Sequence, residues 1–311
     1  MRAVRIAIFG NAIVCILKFI VAYTGGSASM FAEAIHSLAD TSNQALLWVG
    51  IKRSQIGPSK DFPFGRGHER FVWGLISACG IFFVGAGVTI YHGIEGLIHP
   101  SAPEINRWTA IVLGISFVLE SITLVVAWVD RKEADTANLA VLLEDGAAVL
   151  GLVIAAISII LTKYTGNVYW DSYGSIIVGI ILAVIAIVLI RENLHYLTEK
   201  ASPEELQNEV RRYLSEFELV EDIKDVRMIV LTPHEHILRA EVEINGYLLI
   251  REMEDTLRED YQEIGDFGDF LQFSAAFADR VTRTVGAKID EMEAILKKRA
   301  PYLKYIDIKP S

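Results

Sequence analysis

The sequence predicts an α-helical membrane protein, with six transmembrane helices, both termini cytoplasmic, and a small α+β cytoplasmic domain after them. Three observations carry this. Six mostly apolar runs, each about 20 residues or longer, fill the first part of the chain, and such a run spans the hydrocarbon core as a helix. Charge is unevenly divided: residues 1–199 hold 13 Lys and Arg against 15 Asp and Glu, whereas residues 200–311 hold 16 against 24. Basic residues also gather in alternate loops, as the positive-inside rule requires. The expected division is a helical unit over 1–198 and a cytoplasmic domain over 199–311.

The runs are Ala3–Tyr23, Ser27–Ile51, Phe71–Tyr91, Trp108–Val129, Thr136–Thr162 and Tyr169–Ile190. They are too long and too continuous for barrel strands, which alternate over about ten residues. The first holds Asn11 and Lys18 and lacks a small-residue cleavage site, so it reads as a mature helix rather than a signal peptide. Lys52, Arg53, Lys60, Arg66 and Arg70 lie in the loop after the second run, Arg131 and Lys132 in the loop after the fourth, and Arg2 and Arg5 at the start. The opposite loops hold only Arg107 and Lys163, which puts both termini in the cytoplasm. A bacterial inner membrane is the expected location.

Charges at membrane depth are costly and mark a pathway or an internal pair. The second run holds Glu33, His36, Asp40 and Asn43, whose spacings of three and four residues put them on one helical face. His36 and Asp40, one turn apart, can chelate a divalent ion, and imidazole with carboxylate suits Zn²⁺ without rejecting its first-row neighbours. The fifth run holds Glu144 and Asp145, followed by Gly146, Ala147 and Ala148, small residues that let another helix approach. The competing reading is a buried hydrogen-bonding network that fixes helix packing. Lys18 and Glu120 are weaker signals, with Lys18 either snorkelling or pairing with Glu33 or Glu120.

Several motifs then stand together: Asn11, Lys18, Gly25-Gly26-Ser27, His36-Ser37-Leu38-Ala39-Asp40, Phe62-Pro63-Phe64-Gly65-Arg66-Gly67, Asp145-Gly146-Ala147 and Asp171-Ser172-Tyr173-Gly174-Ser175. The chain resembles the cation diffusion facilitator family of proton-coupled metal exporters over nearly its whole length. Glu144-Asp145 and Tyr91-His92-Gly93 are most similar to the branch containing the ninth human zinc transporter. The resemblance implies a homodimer that alternates between inward- and outward-open states and exchanges protons for Zn²⁺, with no organic cofactor. It also implies a metal site to which His36, Asp40 and Asp145 match. The fourth position, four residues before Asp145, is Val141, which cannot bind metal. Glu144 then stands as fourth ligand or proton carrier, and Asn138 lies on the Asp145 face. Exchanging an imidazole for oxygen hardens the site toward Mn²⁺, Fe²⁺ or Co²⁺, and the missing ligand also admits a non-transporting partner subunit. Asn43, Asn138, Glu33, Lys18 and Glu120 are the candidates around the ligands or along a proton path.

In the acidic part, Ser202-Pro203-Glu204-Glu205 opens a helix to about Phe217, and Val226–Leu231 and Ile237–Ile244 read as strands. A helix over Ala276–Arg299 and a strand at Tyr305–Ile308 follow, the order of a ferredoxin-like, metallochaperone-like domain by resemblance. Residues 247–279, with four phenylalanines at helical spacing, read as a packed helical insertion. His234 and His236 alternate as strand residues do but follow Pro233, and a turn-and-core role is favoured over a metal site. His68 is an equally weak second metal candidate. The acidic balance argues against nucleic acid, and Cys15 and Cys79 make neither a disulfide framework nor a metal knuckle. No HExxH or P-loop points to a hydrolase or an ATP-driven pump, and Asp266-Phe267-Gly268 lacks every other kinase element.

Overall fold

The computed structural model describes residues 2–100, 107–129 and 136–311, with the side chains of 2–10, 127 and 136–141 also outside the description. The chain divides into two compact units, Met1–Thr198 and Glu199–Ser311.

The first unit is helical: α1 (Arg2–Gly25), α2 (Ala28–Ser54), α3 (Glu69–Gly80), α4 (Gly87–Ile98), α5 (Arg107–Val129), α6 (Thr136–Thr165) and α7 (Tyr169–Leu197). A π-helical segment, Ile81–Ala86, joins α3 to α4 without a break, so the two form one 30-residue apolar rod. Among the described residues four helices are long and apolar enough to cross a membrane: Glu69–Ile98, Arg107–Val126, Leu142–Thr165 and Tyr169–Leu197. The described part of α1 gives a shorter apolar stretch, Asn11–Gly25. α2 falls short because its polar face lowers its hydropathy, although it is long enough at 27 residues.

α2 is the hub, packing against α1, α3, α6 and α7. Ala28, Ser29, Ala32 and Ala34 are buried, and side chains this small let backbones close up where water is absent. A second apolar cluster joins Ala32 to Ala78, Ile81, Ala86, Val178 and Leu182. The outward faces of α5 and α7 carry exposed Ile, Val, Phe and Trp, as helices facing lipid do.

The second unit comprises α8 (Glu204–Ser215), β1 (Val220–Thr232), β2 (Glu235–Ile244), α9 (Gly246–Glu252), α10 (Glu254–Glu263), α11 (Phe267–Arg299) and β3 (Leu303–Pro310). Its sheet has the order β1-β2-β3, with β2 antiparallel to β1 and parallel to β3. Val210 and Leu214 of α8 and Met292 and Leu296 of α11 cover one face over Met228, Leu238 and Val242. β1 begins at Val220 rather than at Val226, because register shifts after Val220 and Ile223 break the alternation that marks a strand in sequence. α11 begins at Phe267 rather than at Ala276. Asp266 caps it: its carboxylate accepts from Asp269 N–H at 3.0 Å, while the Asp269 side chain accepts from Asp266 N–H at 3.1 Å. The Asp-Phe-Gly triplet is thus a helix start.

His236 is buried in β2, its Nδ1 2.8 Å from the Ser202 hydroxyl and its ring edge-on to Tyr302. Burial, with a smaller contribution from His234, holds its pKa below the ordinary imidazole value. The unfolded chain therefore binds the proton first, and stability is lost as pH falls through the unfolded value toward the folded one. Hydrogen exchange of the full-length chain should show protection across β2 falling between about pH 7.5 and about pH 5.5, and His236→Phe should flatten that dependence.

Candidate metal centre

The N-terminus of α2 is fastened by a buried carboxylate from another helix. Ser27 caps the first turn, accepting from Met30 N–H at 3.2 Å. Asp171 of α7 accepts from the Ser27 hydroxyl at 2.8 Å, from Ser29 N–H at 3.2 Å, and from Ala28 N–H and the Ser29 hydroxyl. A helix start has unpaired N–H groups and partial positive charge, so a carboxylate there is satisfied even when buried.

Further along α2 the polar side chains face inward. His36 is buried, and its Nε2 lies 3.7 Å from Asp40 Oδ2, beyond hydrogen-bond length. Among the described residues that nitrogen has no hydrogen-bond partner. Asn43, also buried, donates its amide to Glu144 of α6 at 2.7 and 2.6 Å, and its carbonyl accepts from Ser77 of α3 at 2.6 Å. Asp145 is half-buried. Glu144 and Asp145 both lie within Coulombic reach of Asp40.

α2 and α6 thus bring an imidazole and three carboxylates to one neighbourhood. Among the described residues no three His, Cys, Asp or Glu converge into a finished metal shell, and Glu144 is engaged by Asn43 instead. The side chains of Asn138 and Val141 lie outside the described residues.

A second polar cluster adjoins this one. Lys18 of α1 has no exposed surface; its Nζ lies 3.2 Å from Glu33 Oε2 and 2.8 Å from Glu120 Oε1 of α5. Lys18 therefore pairs with both carboxylates and does not snorkel. Glu33 Oε1 rests against the backbone of α6 at Gly151, where any Cβ would collide with it. Nearby, Asn11 of α1 donates to Gln44 of α2 at 3.1 Å.

The weaker candidates sit apart from these clusters. His68 is the N-cap residue of α3 beside Phe71, and the neighbouring Glu69 is held by Arg53 and Arg66. His234 is exposed in the β1–β2 turn while His236 is buried, so the two do not share a face. Ser77 and the clamping role of Asp171 were not evident from sequence. Each is one polar residue in an apolar run, and a lone sequence does not name its partner.

A family profile for the cation efflux transmembrane domain matches residues 4–198. The chain belongs to the cation diffusion facilitator family. It is 34% identical over 332 residues to metal tolerance protein C4 of Arabidopsis thaliana, covering 99% of this chain and 73% of that one. It is 36% identical over 330 residues to the human mitochondrial proton-coupled zinc antiporter SLC30A9, covering 99% and 58%. The manganese efflux system protein MneP of Bacillus subtilis is 26% identical over 276 residues, covering 85% and 90%. The chain thus spans under two thirds of the vertebrate relatives and falls in the SLC30A9-like branch of cation diffusion facilitators, which are metal transporters rather than enzymes.

Two substitutions test the energetics. Asp171→Ala leaves the Ser27 hydroxyl and the Ala28 and Ser29 N–H groups without this acceptor, the Ser29 hydroxyl keeping the backbone carbonyl of residue 171, and should cost on the order of 3 kcal/mol, read as a lowered unfolding midpoint in detergent. Lys18→Met strands two buried carboxylates and should cost about 3–5 kcal/mol by the same measurement, with Lys18→Met/Glu33→Gln recovering part of it.

Proposed function

We propose that this cation diffusion facilitator exports a divalent cation, Zn²⁺ foremost, from the cytoplasm in exchange for protons, by alternating access in a homodimer. His36, Asp40 and Asp145 bind the ion, and Glu144 serves as fourth ligand or as proton carrier. The observation that carries this reading is the buried His36–Asp40 pair of α2, set within Coulombic reach of Glu144 and Asp145 of α6. A metal displaces protons from imidazole and carboxylate, so loading and release are proton-linked, and an imidazole exchanges its proton near neutral pH. Four-ligand binding requires Glu144 to exchange the Asn43 amide for the ion. Asn43, Asn138, Glu33, Lys18 and Glu120 surround the ligands or carry the returning proton.

The printed names of the vertebrate relatives, proton-coupled zinc antiporters, support the substrate and the coupling. A second reading, Mn²⁺ in place of Zn²⁺, is favoured by Val141, which leaves the site richer in oxygen than in imidazole, and by the similarity to MneP. Fe²⁺ or Co²⁺ export and a non-transporting partner subunit follow from the same residue.

The proposed topology has six spans, α2 being carried across by its internal polar pairs, with both termini cytoplasmic and the second unit serving as the dimerising domain. The loop charges support the orientation. A bacterial inner membrane has no support among the relatives, several of which carry the word mitochondrial in their names.

Inverted vesicles bearing a proton gradient test the assignment. Asp40→Ala and Asp145→Ala should each cut zinc uptake at least about tenfold while the chain still inserts, and unchanged uptake in both would remove these residues from the site. Repeating the native assay with Mn²⁺, Co²⁺ and Fe²⁺ should rank Zn²⁺ first, and Mn²⁺ ahead of Zn²⁺ would establish the second reading.

A further inference from the structure

A cavity of about 410 Å³ opens at the end of the helical unit where α2 begins and α4 ends. Its wall carries His92 and Glu95 from α4 and His99, the residue that caps that helix, faced by Phe31 of α2 and Asp171 of α7. Residues 92 and 95 share a face of the last two turns of α4, and His99 follows at the C-cap, four residues after Glu95, with its amide still bonded to the Glu95 carbonyl. His92 Nδ1 lies 3.9 Å from Glu95 Oε2, and both side chains are open to solvent at 39% and 51% exposure. The His92 ring lies 4.4 Å, centroid to centroid, from Phe31, beside the start of α2. Asp171 is occupied by the α2 donors and is not available as a ligand.

The pair at 92 and 95 is too long for a hydrogen bond and too exposed to matter much as an ion pair. Two imidazoles and a carboxylate on one wall of a water-accessible cavity are a donor set for a borderline divalent cation, with water completing the shell. Among the described residues the three do not yet converge at metal distance, but exposed side chains change rotamer at small cost. Along α2, Ala28 at the cavity and His36 at the buried centre are separated by eight residues, or about 12 Å of helix rise.

We propose that His92, Glu95 and His99 form a second, weak divalent-cation site in the mouth of the transport unit, which holds the ion passing between solvent and the buried His36–Asp40 pair. The passage role rests on the transport reading; the binding site itself does not. Weak, accessible ligation suits a mouth, because an ion held too tightly there would not leave.

The test is a Co²⁺ titration of the full-length, tag-free chain in nanodiscs, followed by visible absorption with Zn²⁺ as competitor. In a His36→Ala/Asp40→Ala background a residual, weaker Co²⁺ signal should persist, and adding His92→Ala/His99→Ala should abolish it. Absence of residual binding in the background, or residual binding indifferent to His92 and His99, overturns the proposal. If the background fails to insert, His92→Gln/His99→Gln in the otherwise native chain should lower the bound Co²⁺ by one ion per chain, and an unchanged stoichiometry overturns it equally. Zinc flux measured on the same variants separates the two readings. Lost flux in His36→Ala with the outer Co²⁺ signal intact supports both, whereas intact flux in that variant removes His36 from the transport site and leaves the outer site standing.

Discussion

A lysine with no solvent exposure, one helix face away from lipid, can be held in place only by groups that replace the water it has lost. Removing an ion from water costs several kcal/mol after relaxation, and the cost is recovered only where partners are close and well aligned. Lys18 meets that condition with two carboxylates drawn from two other helices, Glu33 of α2 and Glu120 of α5. The arrangement ties α1, α2 and α5 together at membrane depth and determines which side of α2 turns inward. His36, Asp40 and Asn43 follow on that side because the helical repeat leaves them nowhere else to point.

One turn earlier, the start of α2 is held by a different device with the same logic. Asp171 supplies the acceptor that the first turn of the helix lacks, and the helix supplies the donors that a buried carboxylate needs. Neither group would be stable there alone. Just past the two fastenings, three residues beyond Glu33, lies His36, whose Nε2 has no hydrogen-bond partner among the described residues. Most buried polar atoms in folded proteins are paired, so such an atom beside carboxylates points to a ligand of opposite character. The fixed part of α2 is its start, and the unsatisfied atom lies one turn past it.

Much of this was legible in the chain. The apolar runs gave the helices of the first unit because backbone satisfaction in lipid permits little else. The i, i+3, i+4 spacing of Glu33, His36, Asp40 and Asn43 gave their common face, and the Pro233 turn separated His234 from His236. Less legible were relations that depend on a second element. Ser77 reaches Asn43 from α3 and Asp171 reaches α2 from α7, both across long stretches of chain that no local pattern encodes. The early start of β1 escaped notice because its register shifts erase alternation, and the extra turns of α11 because its cap lies inside a phenylalanine-rich segment that reads as packing.

The π-helical segment at Ile81–Ala86 decides which changes of length the rod can take. A π turn holds one more residue than an α turn, so it absorbs an extra residue while the helix on either side keeps its phase. Above it, Ser77 of α3 faces Asn43; below it, Thr89 and Gly93 of α4 are buried, with the Thr89 carbonyl accepting from Ser175 of α7. Deleting one residue between 81 and 86 and returning to a plain α-helix would therefore leave the two halves in nearly the same phase, each still facing its own neighbours. A residue added to or removed from the α-helical turns on either side has no such relief and rotates one half against the other by about 100°. The π segment is the place in this rod where a single-codon deletion is expected to be mildest.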